Sequence, residues 1–478
     1  LQKLTRLASD TAIYGLGTIV PRLINYFLVI PHTRVFAPAD YGVITNLYAY
    51  AGFLNVIFLF GMETAFFRFV SKPGASADQV FRLAQTVVMA VSGTLALLMA
   101  ALAMPLANAW GLNGKTEYVY YLAGILFVDA AVAIPFARWR QEGRALIFSL
   151  SKIGHVLLLV SLNYYFLYYR FDPAVGVGYV FIANLLANTL LLAVQAGQLL
   201  RWRPLWQRPV SGQMVRYAYP LMLMGLAGMT YELFSRVSIQ WWWPENFQGQ
   251  SARHALGVFG ACYKFAVFMS LAVMAFRYAA EPFFFSNAAD KQSAALFARV
   301  NHYFVVAGAF IVLAVTVNLG WLKWMLGNAA YHEGLDVVLI LLMAYLFNGV
   351  YYNFSVWFKI TDRTHFGMWF TAGGAAITVA GNYLLIPVAG YYGSAWVTLA
   401  ASVAMTLACY ILGQRYHPIP YPVLKSAAYV ALAGALIYIS HQVNLSAPLQ
   451  TFFNLALCAL YALIAWLAER KEFLRMAH

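Results

Sequence analysis

Apolar positions come in long blocks along this chain, with polar positions gathered in the short gaps between them. A stretch of about 20 mostly apolar residues spans a hydrocarbon core of roughly 30 Å. Such stretches recur fourteen times, near residues 11–33, 42–66, 80–109, 117–137, 145–169, 176–200, 213–243, 254–285, 300–326, 335–358, 365–387, 390–413, 422–440 and 450–468. No ten-residue alternating segments of the kind a membrane barrel needs are present. A helix closes its own backbone hydrogen bonds inside lipid, so helices are the expected spanning element. The pattern predicts an all-α integral membrane protein of about 14 transmembrane helices. The longest gaps, 201–212, 244–253 and 286–299, leave no room for a separate soluble domain.

Composition agrees: 62% of residues are hydrophobic and 10% charged, where a soluble globular domain carries roughly a quarter charged. The first block lacks a small-residue cleavage site and is followed at once by a second, so it is expected to be a retained helix rather than a signal peptide. The start at Leu1 suggests an initiator methionine lost or never recorded. Cys262, Cys409 and Cys458 fall inside predicted helices without metal-ligand spacing, and neither a disulfide framework nor a metal site is expected.

The net charge of +14 takes its meaning from its distribution. With the amino terminus placed in the cytoplasm, 21 basic residues fall at inner ends and loops, among them Lys3, Arg6, Arg68, Arg138, Arg140 and Lys291, against 5 on the other side, Arg34, Lys115, Arg170, Arg253 and Lys323. This positive-inside bias places both termini in the cytoplasm. The basic residues report insertion and anionic headgroups, and no nucleic-acid partner is expected.

Comparison of the chain with itself at a shift of about 215 to 219 residues brings out matches. Y-G-V-I-T-N-L-Y-A-Y-A (41–51) answers L-G-V-F-G-A-C-Y-K-F-A (256–266), and E-T-A-F-F (63–67) answers E-P-F-F-F (281–285). Trp139 matches Trp357, and Asn163-Tyr164 matches Asn382-Tyr383. Spans one to six and seven to twelve therefore read as two copies. An even number of spans makes them parallel repeats, an arrangement used by alternating-access transporters. The domains expected are an N-lobe at 1–210, a C-lobe at 211–418 and two additional helices with a cytoplasmic tail at 419–478.

Nine ionisable residues fall within or at the edge of the spans: Arg22, Glu63, Asp129, Lys152, Glu232, Arg236, Lys264, Arg277 and Glu281. Each costs about 2.5–3.5 kcal/mol at mid-membrane on insertion scales, so they are expected to face inward or to pair. Glu232 with Arg236, and Arg277 with Glu281, stand one helical turn apart and are able to neutralise each other. Glu63 and Arg68 are five apart, roughly 140° around a helix, and do not share a face. Arg68 is expected to reach the cytoplasmic headgroups, leaving Glu63 to find a base elsewhere in the bundle. Arg22 has no acid in its own span, which makes it the sharpest candidate for an anionic ligand. Pro21 and Pro220 are candidate bending points of spans one and seven. Clusters such as Trp241-Trp242-Trp243 and Tyr164-Tyr165 sit at predicted outer interfaces, as aromatic belts do.

The segments R-V-F-A-P-A-D-Y-G (34–42), R-Y-A-Y-P-L (216–221) and N-Y-L-L-I-P-V-A-G-Y-Y-G-S-A (382–395) resemble the polysaccharide-transporter family. These are the O-antigen flippases of the superfamily that also holds multidrug-and-toxin extruders and the lipid II flippase. The resemblance implies two six-helix lobes around a cavity lined by spans one, two, seven and eight. It also implies an oligosaccharide on a polyprenyl diphosphate as substrate, moved from the cytoplasmic to the periplasmic leaflet of a bacterial inner membrane. In that picture Arg22, Lys152, Arg236, Lys264 and Arg277 supply positive charge for the diphosphate. Against them stand four acids, which leaves about +1 in the cavity.

The resemblance further implies membrane lipids, a polysaccharide polymerase and glycosyltransferases as partners, and a monomer. No cofactor is expected, and a coupling ion, proton or sodium, is left open. A multidrug antiporter is the alternative, carried by Asp129 and Glu232. A membrane-embedded enzyme of polysaccharide synthesis is the second. The one tempting motif, H-E-G-L-D at 332–336, reads as a solvated turn, and no phosphate loop, D-x-D or H-E-x-x-H is present. The chain is not expected to be an enzyme.

Overall fold

A computed structural model describes residues 15–74, 76–245, 247–286 and 293–476. Lys3, Arg6 and Lys291 of the basic inner set lie outside the described residues. Every regular element among them is helical: α1 (15–26), α2 (Val29–Val35), α3 (Pro38–Leu59), α4 (Met62–Val70), α5 (Ala77–Ala101), α6 (Ala103–Ala109), α7 (Glu117–Gln141), α8 (Ala145–Tyr169), α9 (Gly178–Arg201), α10 (Arg208–Trp242), α11 (Ala252–Ser286), α12 (Ser293–Val317), α13 (Leu319–Leu322), α14 (Val337–Phe354), α15 (Val356–Ile360), α16 (His365–Tyr416), α17 (Val423–Gln442) and α18 (Ala447–Met476).

Eleven helical stretches among the described residues are long and apolar enough to cross a membrane. This number and the fourteen expected spans describe the same chain. The 52 residues of α16, about 78 Å at 1.5 Å per residue, are far too long for one crossing. Gly390 breaks the run with φ 58° and ψ −141°, giving two. The 35-residue α10 falls below that apolarity because it carries Arg216, Glu232 and Arg236, and the first span enters the described residues only at position 15.

The chain divides into two compact units, Leu1–Gly260 with Asn382–Gly390, and Ala261–Gly381 with Tyr391–His478. In the first unit α7 is the central helix, packed on α5, α9 and α3. Its Pro135 has no N–H, so the carbonyl of Ala131 four residues back loses its helical donor. Gln85 of α5 replaces it, donating Nε2 to Ala131 O at 2.9 Å. Phe136, Trp139 and Phe148 pack edge to face beside this point.

The repeat is visible in backbone contact. A Cβ at Gly42 of α3 would lie 2.0 Å from the carbonyl oxygen of Arg253, and one at Gly257 of α11 would lie 1.8 Å from that of Pro38. Gly42 and Gly257 are matched positions at a shift of 215, and so are Pro38 and Arg253. The crossing is therefore reciprocal, each copy's glycine admitting the other copy's carbonyl. The matched asparagines also behave alike. Asn163 accepts from His32 Nε2 at 2.9 Å, and Asn382 donates to Ser235 Oγ at 3.3 Å, tying the fifth span of each copy to its first.

In the second unit α12 is central, packed on α14, α17 and α18. Gly308 and Gly349 let α12 and α14 approach, with Leu346 and Phe304 filling the space a Cβ would need. Trp357 is buried and donates to the carbonyl of Cys409 at 3.2 Å. The C-terminal helices are held to α12 by a buried carboxylate. Glu469 accepts from His302 Nε2 at 3.2 Å, Lys425 Nζ at 2.8 Å and Tyr429 Oη at 2.7 Å, while His302 Nδ1 meets Ser426 Oγ at 2.8 Å. The first three residues of the H-E-G-L-D segment end a short 3-10 turn (Ala329–Gly334) in which His332 Nε2 donates to the Lys323 carbonyl. Its histidine is thus engaged in closing the loop.

Candidate functional site

Within the first unit, polar side chains converge from four helices on an otherwise apolar interior. Asp129 of α7 accepts from Asn188 Nδ2 of α9 at 3.0 Å. Since that amide nitrogen donates, Asn188 Oδ1 is the acceptor toward His155 Nε2 of α8 at 2.7 Å, which fixes the proton on Nε2. One turn before His155, Lys152 rests its ammonium 4.4 Å from the centre of the Phe136 ring. One turn before Asn188, Asn184 donates to the hydroxyl of Tyr48 on α3 at 3.0 Å. The result is a hydrogen-bonded relay Asp129–Asn188–His155, with the Lys152 ammonium and the separate Asn184–Tyr48 pair on the same helices. Its carboxylate and imidazole are each able to take up a proton, while the Asn188 amide holds the two in place. Among the described residues no group of three or more His, Cys, Asp and Glu has metal-holding geometry.

At the C-terminal end of the second span Glu63 finds its base in another helix. Its carboxylate accepts from Arg140 Nη1 of α7 at 2.5 Å, and the Arg140 guanidinium lies 5.0 Å from the centre of the Phe67 ring. Arg68 is exposed, with its guanidinium 4.2 Å from the Tyr217 ring of α10. Beside this contact Arg138 links Asp78 and Glu142.

The second unit holds a similar arrangement around the matched glutamate. Glu281 accepts from Lys359 Nζ at 2.5 Å and lies 3.6 Å from Arg277 Nε, and the Arg277 guanidinium stacks 4.6 Å from the Tyr352 ring. Glu281 matches Glu63 at a shift of 218, and Lys359 stands one residue past the position that answers Arg140 when Trp357 is matched with Trp139. The same carboxylate-to-base tie between the second and fourth spans is built twice.

The remaining charges lie on α1, α10 and α11. Arg22 is exposed on α1, one turn before buried Tyr26, and Pro21 lies in the same helix, which turns at residues 27–28. On α10, Glu232 is exposed and Arg236 half-buried, and Lys264 is half-buried on α11. Pro220 lies inside α10, where the helical run continues through it.

The structure thus brings together Arg277 with Glu281, while Asp129 takes Asn188 as its partner and Lys152 lies over the Phe136 ring. It adds Arg140 and Lys359 as partners of the two glutamates. Sequence reasoning missed His155, Asn184, Asn188 and Tyr48. The available signal was polar spacing inside apolar spans, Lys152 to His155 three apart and Asn184 to Asn188 four apart. It also missed His302 and Glu469.

No family model and no curated protein matches the chain. Solved structures do match in fold. A lipid II flippase, MurJ, in an inward closed conformation aligns over 95% of this chain and 99% of its own, with a TM-score of 0.71 at 11% identity. A multidrug resistance MATE-family transporter of the MOP superfamily, in an inward-facing conformation, aligns over 88% of this chain and 98% of its own, with a TM-score of 0.60 at 13% identity. A mutant of the Vibrio cholerae MATE transporter VcmN aligns over 86% and 96%, with a TM-score of 0.55 at 15% identity. At these identities the likeness is one of fold, and the fold is one that transporters use.

Proposed function

We propose that this chain is a flippase that moves a polyprenyl-diphosphate-linked oligosaccharide from the cytoplasmic to the periplasmic leaflet of a bacterial inner membrane, by alternating access of two six-helix lobes. The observation that carries the reading is the fold shared with a lipid II flippase over 95% of the chain. The three sequence segments that resemble polysaccharide transporters point to the same substrate class. Arg22, Lys152, Arg236, Lys264 and Arg277 are the bases assigned to the diphosphate, the groups best suited to meet phosphate oxygens with charged donors. No covalent chemistry is assigned to it. The work is done by unequal binding in inward- and outward-open states.

A proton or sodium ion is the proposed coupling ion, with the Asp129–Asn188–His155 relay as its binding place. Membrane lipids, a polymerase and glycosyltransferases are the proposed partners of a monomeric carrier with both termini in the cytoplasm.

Deleting the gene in its source strain tests the assignment. The expected result is loss of surface polysaccharide with lipid-linked glycan accumulating on the cytoplasmic leaflet. Unchanged surface polysaccharide without accumulation contradicts it. The second reading, a cation-coupled multidrug antiporter, draws on the MATE-type folds and on Asp129 inside the first bundle. Deletion would then sensitise cells to cationic drugs and leave the glycan untouched.

A further inference from the structure

The second span of the first copy is broken near its inner end, and its counterpart in the second copy is not. Phe60 (φ 52°) and Gly61 (φ 68°) both adopt the left-handed conformation and separate α3 from α4. At the matched positions, a shift of 218, stand Tyr278 and Ala279, and α11 runs through them as unbroken helix. Two consecutive left-handed residues, one of them a phenylalanine, persist only when the surroundings hold them there.

Those surroundings lie on α10. A Cβ on Gly61 would sit 2.7 Å from the carbonyl oxygen of Ala218 and 3.3 Å from Leu221 Cβ. Tyr219 faces Phe60, and Tyr217 faces Phe69 and the Arg68 guanidinium. The other side of α4 is fixed to α7, through Glu63 with Arg140 and Arg140 with Phe67. The nine residues of α4 are therefore a rod on a two-residue hinge, carried by α5 and α7 of its own copy and latched onto a helix of the other copy beside Pro220.

We propose that α4 is the inner gate. It swings about Phe60–Gly61, parts from α10 when the carrier opens to the cytoplasm, and stays with α7 throughout. Hinges in closing proteins are a few residues at element ends that absorb large φ/ψ changes, and at this pair of matched positions only the first copy has one. The gating role rests on the transporter reading above, whereas the motion itself is measurable without any substrate.

The test uses Ala218, which is fully buried beneath the α4–α10 seam. Cys262, Cys409 and Cys458 are replaced by alanine, and Ala218→Cys is introduced, with Met214→Cys, one turn earlier and also buried, as a second reporter that requires no extra volume. Inside-out vesicles are then treated with a membrane-impermeant maleimide. Gly61→Ala puts a methyl against the Ala218 carbonyl and favours the continuous helix seen at Ala279, so labelling of either reporter should rise at least about fivefold. Arg68→Ala should raise it about two- to fivefold, the worth of an exposed cation–π contact. Phe60→Gly, which keeps the break but removes the ring that faces Tyr219, should raise it clearly less than Gly61→Ala does. A rise below about fivefold in Gly61→Ala with both reporters, or an equal rise in Phe60→Gly, overturns the proposal. If labelling follows expectation while gene deletion leaves the glycan unchanged, the hinge stands and the flippase assignment falls.

Discussion

Glu63 lies 2.5 Å from Arg140, a base 77 residues further along the chain on a different helix. The acid at the C-terminal end of the second span is therefore neutralised across helices, and Glu281 with Lys359 does the same in the second copy. All four side chains are a quarter to nearly half exposed. Solvent then screens the attraction, and a pair of this kind is worth about 0–1 kcal/mol. Double-mutant cycles on Glu63→Gln with Arg140→Gln, and on Glu281→Gln with Lys359→Gln, should each give a coupling below about 1 kcal/mol in thermal unfolding of the purified protein. A coupling of several kcal/mol would mean that the pairs are shielded in the bilayer and hold the bundle together.

The buried carboxylate of Glu469 behaves differently. With three donors around it and 2% of its side chain exposed, its removal strands His302 in the interior. Breaking a buried pair from one side costs about 3–5 kcal/mol, and the lower end applies here because Lys425 is partly open to solvent. Glu469→Ala should lower the melting temperature markedly, while Lys425→Ala, which leaves His302 and Tyr429 in place, should lower it less. Equal and small effects would show that α17 and α18 dock through apolar packing alone.

Gln85 and Pro135 should be coupled. Gln85→Leu leaves the Ala131 carbonyl buried without a donor, at a cost of about 1–3 kcal/mol. Adding Pro135→Ala restores the backbone N–H that the carbonyl lacks. The double variant should therefore be more stable than Gln85→Leu alone, by thermal unfolding. Additive losses would show that Gln85 has another role.

Gly42→Ala and Gly257→Ala should be comparably harmful, since each drives a methyl into a backbone carbonyl that cannot give way. Overpacking of this kind costs about 1–3 kcal/mol or more. Gly434→Ala, with nothing within 4 Å of the new Cβ, serves as the control and should be neutral or slightly stabilising. Thermal unfolding of the three purified variants decides it, and a tolerated Gly42→Ala would show that the helices do not approach so closely.

What was legible in the sequence follows from the size of each signal. Span length and apolarity are written over some twenty residues at a time, so the all-helical fold and its many crossings could be read directly. The repeat could be read because both copies keep glycine where the helices touch. Asp129 and Lys152 stood out because charge is rare in such segments. Asn188, the partner of Asp129, and His155, the partner of Asn188, did not, since uncharged polar residues are common in transmembrane helices and only three-dimensional packing brings α7, α8 and α9 to one point. Arg140 and Lys359 read as ordinary inner-loop charges for the same reason. The break at Gly61 was hidden inside an apolar run, where a glycine alone does not announce a hinge, and Glu469 was masked by the basic tail that follows it.

The most direct test of the central claim is leaflet exchange in a defined membrane. The purified protein is reconstituted in liposomes carrying a fluorescently tagged polyprenyl-diphosphate oligosaccharide, and the tag on each side is read with a membrane-impermeant quencher. The expected result is protein-dependent exchange of the tagged lipid between leaflets, reduced at least about tenfold by Arg22→Ala and partly kept by Arg22→Lys. Exchange no faster than in protein-free liposomes, from protein that expels a cationic dye under an ion gradient, would contradict the flippase account and leave the antiporter in its place.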